Sequence, residues 1–217
     1  MCRVASADCK DKMTSNTSAL IKSDVFRYTG RADFRTLVMS FLQKPGFRYS
    51  FLLRKTLACR ESKGMLATIA FVFYRLLLNR YRFRYGFEIS YRTSIGPGLY
   101  LGHFGGVVIS TRAVIGRNVN IAQGVTIGQT NRGRKAGAPV IGDRVWIGAH
   151  ALVVGGIHIA NDALIGPGAY VNFDVPERAV VIGNPGKIVS FAGTEGYVEN
   201  TVDEALESTR DSQVELA

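Results

Sequence analysis

Three histidines stand in the chain, and one of them, His103, is placed where a histidine can serve as a base. It is bracketed by glycines in Gly102-His103-Phe104-Gly105-Gly106, residues that leave an imidazole uncovered and the backbone free to bend. An imidazole titrates near neutrality, so a free ring nitrogen can take a proton from a hydroxyl at ordinary pH. A carboxylate, Glu88, falls in phase with it in the repeat described below. Bonded to one ring nitrogen, such a group fixes the tautomer and leaves the other nitrogen to work. The competing description is a satisfied turn histidine beside a solvated edge carboxylate. His150 and His158 read as surface or subunit-contact residues. Arg132, Arg134 and Lys135 cluster in GQTNRGRKAGA, Gly128 to Ala138, with Lys187 further along. Those cations suit a phosphorylated cofactor, although on charge alone a solvated basic loop is equally compatible. Scattered histidines without clustered cysteines or carboxylates make no metal set, and no GxSxG nucleophile motif is present.

What must position these groups is a repeat. From Glu88 to Val171 an aliphatic residue returns every sixth position: Ile89, Ile95 and Leu101; then Ile109, Ile115, Ile121 and Ile127; then Ile141, Ile147, Val153, Ile159, Ile165 and Val171. Two positions before nearly every one lies a second small or apolar residue, among them Leu99, Val107, Val119, Val125, Val145, Ala151, Ala163 and Ala169. Residues i and i+2 share a face of a strand, so each hexapeptide is a short strand that buries two side chains and turns. The turns are assigned to Gly96, Gly116, Gly128, Gly142, Gly148 and Gly166, as residues with backbone conformations closed to others. Three such sides close a coil of about eighteen residues, and stacked coils form a parallel β-helix. A sandwich of alternating strands predicts no fixed period.

The period breaks twice. Leu101 to Ile109 is a step of eight, the excess lying around His103, and Ile127 to Ile141 is a step of fourteen, which throws out the loop from Gly128 to Ala138. Neither insertion helps a coil to stack, and loops thrown from a rigid scaffold are where function concentrates.

The 217 residues, 47% of them hydrophobic, suffice for one domain with a smaller unit attached. Residues 1–23 are polar and expected to be poorly ordered. Residues 24–85 form a helical N-terminal unit of three expected helices, 86–190 the β-helix, and 191–217 an acidic C-terminal tail. The net charge of +10 is concentrated in residues 1–86, which hold 17 Lys and Arg against 5 Asp and Glu. The three cysteines show no pairing pattern, which with the absence of a leader signal leads to an expected cytoplasmic setting. The apolar run from Met65 to Leu78 is too short to span a bilayer. Residues 65–85 interleave arginines with aromatics, which suits either a cap packed on the prism or peripheral attachment to the inner, anionic face of a membrane. Nothing else supports nucleic acid as a partner.

LGHFGGVVIS, NVNIAQGVTIGQT, the fourteen-residue step, DRVWIGAHALVVGG and GNPGKIV together resemble the hexapeptide-repeat acyltransferases. The likeness is to the serine acetyltransferase branch and its relatives in polysaccharide biosynthesis, and covers about residues 86–190. The resemblance implies a left-handed β-helix, against the right-handed rule for most crossovers, and a homotrimer with active sites between adjacent prisms. It implies acetyl-CoA as acetyl donor without a metal, His103 as general base and Glu88 at the acidic position that orients it. Gln129, Thr130 and Ala149 fall where the family lines the pantetheine arm, and Lys187 matches a basic position near the nucleotide.

The likeness departs at two places. Gly102-His103 stands where serine acetyltransferases have Asp-His, and Ala136-Gly137-Ala138-Pro139 where they have Asp-Arg-His before proline. Those side chains hold the amino acid's charged groups. The expected acceptor is therefore neutral, a sugar hydroxyl in a capsule, exopolysaccharide or O-antigen unit. Serine O-acetylation is the second reading, and a trimeric scaffold without catalysis the third.

Overall fold

In the computed structural model, residues 17–202 are described. Four helices, α1 (Thr17–Thr29), α2 (Phe34–Gln43), α3 (Pro45–Glu61) and α4 (Met65–Tyr85), precede fifteen short strands. The first three turns of the prism run β1 (Phe87–Ile89), β2 (Ser94–Ile95), β3 (Tyr100–Leu101), β4 (Val107–Ile109), β5 (Val114–Ile115), β6 (Asn120–Ile121), β7 (Thr126–Gly128), β8 (Val140–Ile141) and β9 (Trp146–Ile147). The remainder are β10 (Leu152–Val154), β11 (His158–Ile159), β12 (Leu164–Ile165), β13 (Tyr170–Val171), β14 (Val180–Ile182) and β15 (Lys187–Ser190).

Every third strand stacks on the last. Sheet A is β1-β4-β7-β10-β13, sheet B is β2-β5-β8-β11, and sheet C is β3-β6-β9-β12-β14-β15, all parallel except the β14–β15 return. The result is a left-handed parallel β-helix of about five turns. Register follows the sixfold row, with Ile89 beside Ile109, Ile109 beside Ile127, and Ile127 beside Val153. Every residue of both inward rows is buried, so both inserted loops are absorbed at corners without a register slip.

The corner glycines have a different cause from the one expected. Gly96 and Gly116 do not need left-handed backbone; they need the absence of a side chain. A Cβ on Gly96 would lie 2.6 Å from the Gly116 carbonyl oxygen, and one on Gly116 would lie 2.4 Å from that of Gly142. The left-handed turn is made two residues later, at Gly98, Asn118, Arg144, His150 and Gly168. Gly116→Ala is therefore expected to destabilise by about 1–3 kcal/mol, measured by thermal denaturation, through forced separation of two coils.

A solenoid's terminal coil exposes main-chain groups that need partners, and the helical unit supplies them. The Tyr49 hydroxyl donates to the carbonyls of Phe87 and Ile89, at 3.0 and 2.8 Å. The Tyr28 hydroxyl donates to the Leu101 carbonyl and accepts from its N–H. Burial pushes the Tyr28 phenol far up, while its hydrogen bond to the Leu101 backbone opposes the rise. Asp24 and Arg54, both buried, form an ion pair at 3.1 Å. Arg54 also donates to the carbonyls of Ile95 and Gly96, and Asp24 accepts from the N–H groups of Gly98 and Leu99.

Helix boundaries follow local chemistry. Asp33 caps α2 by accepting from Thr36 N–H and hydroxyl, which holds its carboxyl below the usual range. Pro45 opens α3 at a position where its missing N–H costs nothing. Gly86 closes α4 in left-handed backbone, 67° in φ. No helix among the described residues is long and apolar enough to cross a membrane. One face of α4 packs on the core through Phe71, Tyr74, Leu78 and Tyr85; Leu66, Ile69, Phe73 and Leu76 on another face are exposed.

Two boundaries differ from expectation. Helix α1 begins at Thr17, inside the segment expected to lack order, so the unit has four helices rather than three. Residues 191–202 do not run outward but fold back across sheet C. Tyr197 meets Trp146 edge-on at 5.2 Å, Thr194 donates to the Arg144 carbonyl, and Val202 N–H donates to Asn118. The rest of the expected N-terminal segment, residues 1–16, and of the acidic tail, 203–217, lie outside the described residues.

Candidate active site

His103 lies in the corner loop between β3 and β4, and is exposed. The loop's far arm is pinned between coils: Gly105 N–H donates to the Tyr85 carbonyl, and Gly124 N–H donates to that of Gly105. Both Gly105 and Gly106 are left-handed in φ, at 117° and 67°, and the Phe104 ring sits 6.2 Å from that of Tyr85. The backbone bonds of Gly105 and the ring contact of Phe104 hold the arm of the loop that follows His103, and the imidazole is left exposed.

The corner between sheets C and A carries more of the candidate residues. The same column of turns passes through Gln123-Gly124 and Ala149-His150 to Gly168, linked by His150 N–H to the Gln123 carbonyl and Gly168 N–H to that of Ala149. Ala149 is thus in file with His103, two coils along. Lys187 opens β15 at the far end of the prism, exposed, paired in register with Ile182.

The long loop leaves from the other edge of sheet A, between β7 and β8. It is a small structure of its own: Thr130 and Gly137 bridge in antiparallel fashion, and the Thr130 hydroxyl donates to the Lys135 carbonyl at 2.6 Å. Lys135 is tied down by its ammonium to the Asn172 carbonyl at 2.9 Å, whereas Arg132 and Arg134 are exposed. Gln129 bonds Ser110 and Asn131. One side of a coil separates this loop from His103, roughly 15–20 Å at about 3.3 Å per residue. Within one chain, then, His103, Ala149 and Lys187 form one file, and Gln129, Thr130, Arg132, Arg134 and Lys135 another.

Glu88 stands between them, pointing outward from the centre of β1, one coil below Val108. It forms no hydrogen bond or ion pair among the described residues, to His103 or to any other group. It lines a cavity of about 500 Å³ between α4 and sheet A. The floor is the edge of three stacked turns, Ile89-Ser90, Ile109-Ser110 and Ile127-Gly128-Gln129, and the wall is Arg75, Asn79 and Arg82 of α4. Tyr49 lies at its base; burial pushes this phenol up to about 12, against the pull of Arg82 and Arg75. The sequence reading missed the α4 residues. Their signal was present, since 75, 79 and 82 recur at i, i+4 and i+7, one polar stripe along the helix.

Comparison with known proteins gives the chain's relatives. Residues 138–172 match the family described as bacterial transferase hexapeptide (six repeats). A serine acetyltransferase of Staphylococcus aureus is 44% identical over 112 residues, 52% of this chain and 53% of that protein, so the match spans about half the length of the curated relative. The structure of Neisseria gonorrhoeae serine acetyltransferase in complex with serine aligns at a TM-score of 0.64 and 30% identity, covering 83% of this chain and 71% of that one. A serine acetyltransferase in complex with CoA aligns at 0.61 and 26% identity, over 84% and 68%.

These relatives overturn the expected sugar acceptor and, with it, a role in polysaccharide biosynthesis. The expectation rested on the charges missing at Gly102 and Ala136-Gly137-Ala138. Its physical weakness is that two loop positions are not the whole charged surface beside sheet A: Arg75, Arg82 and Glu88 bring both signs to the neighbouring cavity from other elements.

Proposed function

Since the chain belongs to the hexapeptide-repeat transferase family, in its serine acetyltransferase branch, we propose that it moves acetyl from acetyl-CoA to the hydroxyl of L-serine. The observation that carries this reading is the match to a serine-bound relative across helical unit and prism together. The exposed base and basic loop at the two edges of sheet A agree with it.

His103 takes the hydroxyl proton as the serine oxygen bonds to the thioester carbonyl carbon. Backbone N–H groups lining the cleft receive the oxyanion. Collapse breaks the carbon–sulfur bond, and the imidazolium returns its proton to the departing thiolate. Glu88 steadies the imidazolium through its unpaired negative charge.

The two files of candidate residues sit on opposite edges of one sheet. A homotrimer resolves their separation: packed side by side, the His103 edge of one prism meets the loop edge of the next. The donor then lies along the groove, its pantetheine arm past Gln129, Thr130 and Ala149, and its phosphates toward Arg132, Arg134, Lys135 and Lys187.

Release of free thiol from acetyl-CoA, with and without L-serine, tests the proposal; serine-independent release or none would sink it. The groove has its own test. Arg132→Gln with Arg134→Gln is expected to raise KM for acetyl-CoA about 3-fold to 10-fold, the scale of two exposed charges. KM for acetyl-pantetheine, which lacks the nucleotide, should not move.

A further inference from the structure

The cavity beside Glu88 holds two guanidinium groups with no carboxylate bound to either. Arg75 lies over the Tyr91 ring, 5.5 Å from its centre, and Arg82 over that of Phe83, at 5.1 Å. Neither forms an ion pair among the described residues. Arg75 is exposed and Arg82 half-buried, and both line the cavity. Ring stacking fixes the plane of a guanidinium and leaves its N–H edge free for a planar anion. Across the cavity are the Ser90 and Ser110 turns and the single lining carboxylate, Glu88.

We propose that this cavity is the acceptor site, with Arg75 and Arg82 of α4 binding the acceptor's carboxylate. The assignment rests on the serine reading above and names the residues that would give it specificity. It accounts for the two loop departures: the charge absent at Gly102 and Ala136-Gly137-Ala138 is supplied from the helical unit. Glu88 opposite favours a zwitterion over a dianion, because a second negative group would face it. No residue of the His103 loop lines the cavity; it opens at the long-loop edge of sheet A, the edge that the homotrimer proposed above sets against the His103 edge of the next prism.

The test compares serine with serinamide, which has a neutral carboxamide in place of the carboxylate, in wild type, Arg75→Gln, Arg82→Gln and the double variant. Wild type should prefer serine by at least about 10-fold in kcat/KM, the scale of a charge-assisted pair. Each single change should raise KM for serine about 10-fold, and the double change should bring the serine-to-serinamide ratio close to one. KM for acetyl-CoA should move less than about 2-fold, which also shows the variants are folded. An unchanged ratio in variants that bind acetyl-CoA normally would overturn the assignment. If wild type acetylates neither compound, the serine reading fails on its own. The cavity is then judged by calorimetric titration of L-serine: binding lost in the double variant supports the assignment, and equal binding or none in wild type overturns it.

Discussion

Replacing His103 with alanine is expected to lower kcat with serine and acetyl-CoA by about 10²–10⁴-fold, with acetyl-CoA binding retained. The size of the loss follows from the chemistry. A serine hydroxyl is a poor nucleophile until its proton is removed, and of the two corner loops enlarged beyond the needs of stacking, the one between β3 and β4 carries a histidine, His103. Little structural loss should accompany the change, because the side chain is exposed and the loop is held by Gly105 and Phe104. His103→Asn tests the same point with polar bulk retained and no base. Circular dichroism and calorimetry with acetyl-CoA separate a lost base from a lost fold. Turnover within a few-fold of wild type in either variant would remove His103 from the mechanism.

The second large effect lies far from the chemistry. Asp24→Ala is expected to destabilise the protein by about 3–5 kcal/mol, because it leaves Arg54 buried without its counter-charge. It also strips the N–H groups of Gly98 and Leu99 of their acceptor. At roughly 2–4 °C per kcal/mol for a chain of this size, the melting temperature should fall by about 6–20 °C. Asp24→Asn keeps an acceptor oxygen and removes the charge, so it should lose less. Equal melting temperatures for wild type and Asp24→Ala would mean that the helical unit is not what caps the first coil.

The prism was legible because its interior admits few solutions: a triangular coil of hexapeptides repeats its inward residues at a fixed interval, and Ile89 through Val171 show that interval without structural help. His103 was legible for a related reason, since an insertion stands out against a strict period. The capping of the first coil was not legible. Asp24, Arg27, Tyr28 and Arg54 bond main-chain or side-chain groups more than 40 residues away, and nothing local marks such a partner. Helix α1 was missed for the same cause. Two of its four buried residues, Asp24 and Arg27, are charged, which erases the apolar stripe by which an amphipathic helix is recognised. Glycine at the corners was seen, but its reason was misassigned, because proximity of one coil to the next is invisible in a single strand of sequence. The acceptor was misjudged where absence at two loops was taken for absence in the site, while Arg75 and Arg82, proposed above to bind the acceptor's carboxylate, lay in a helix read as cap or membrane face.

The central claim is that serine's hydroxyl receives the acetyl group. Incubation of the purified protein with carbonyl-labelled [¹³C]acetyl-CoA and L-serine, followed by NMR of the products, tests it directly. The expected result is O-acetylserine in an amount equal to the thiol released; thiol release without label on the serine oxygen, or no serine-dependent release at all, would contradict it.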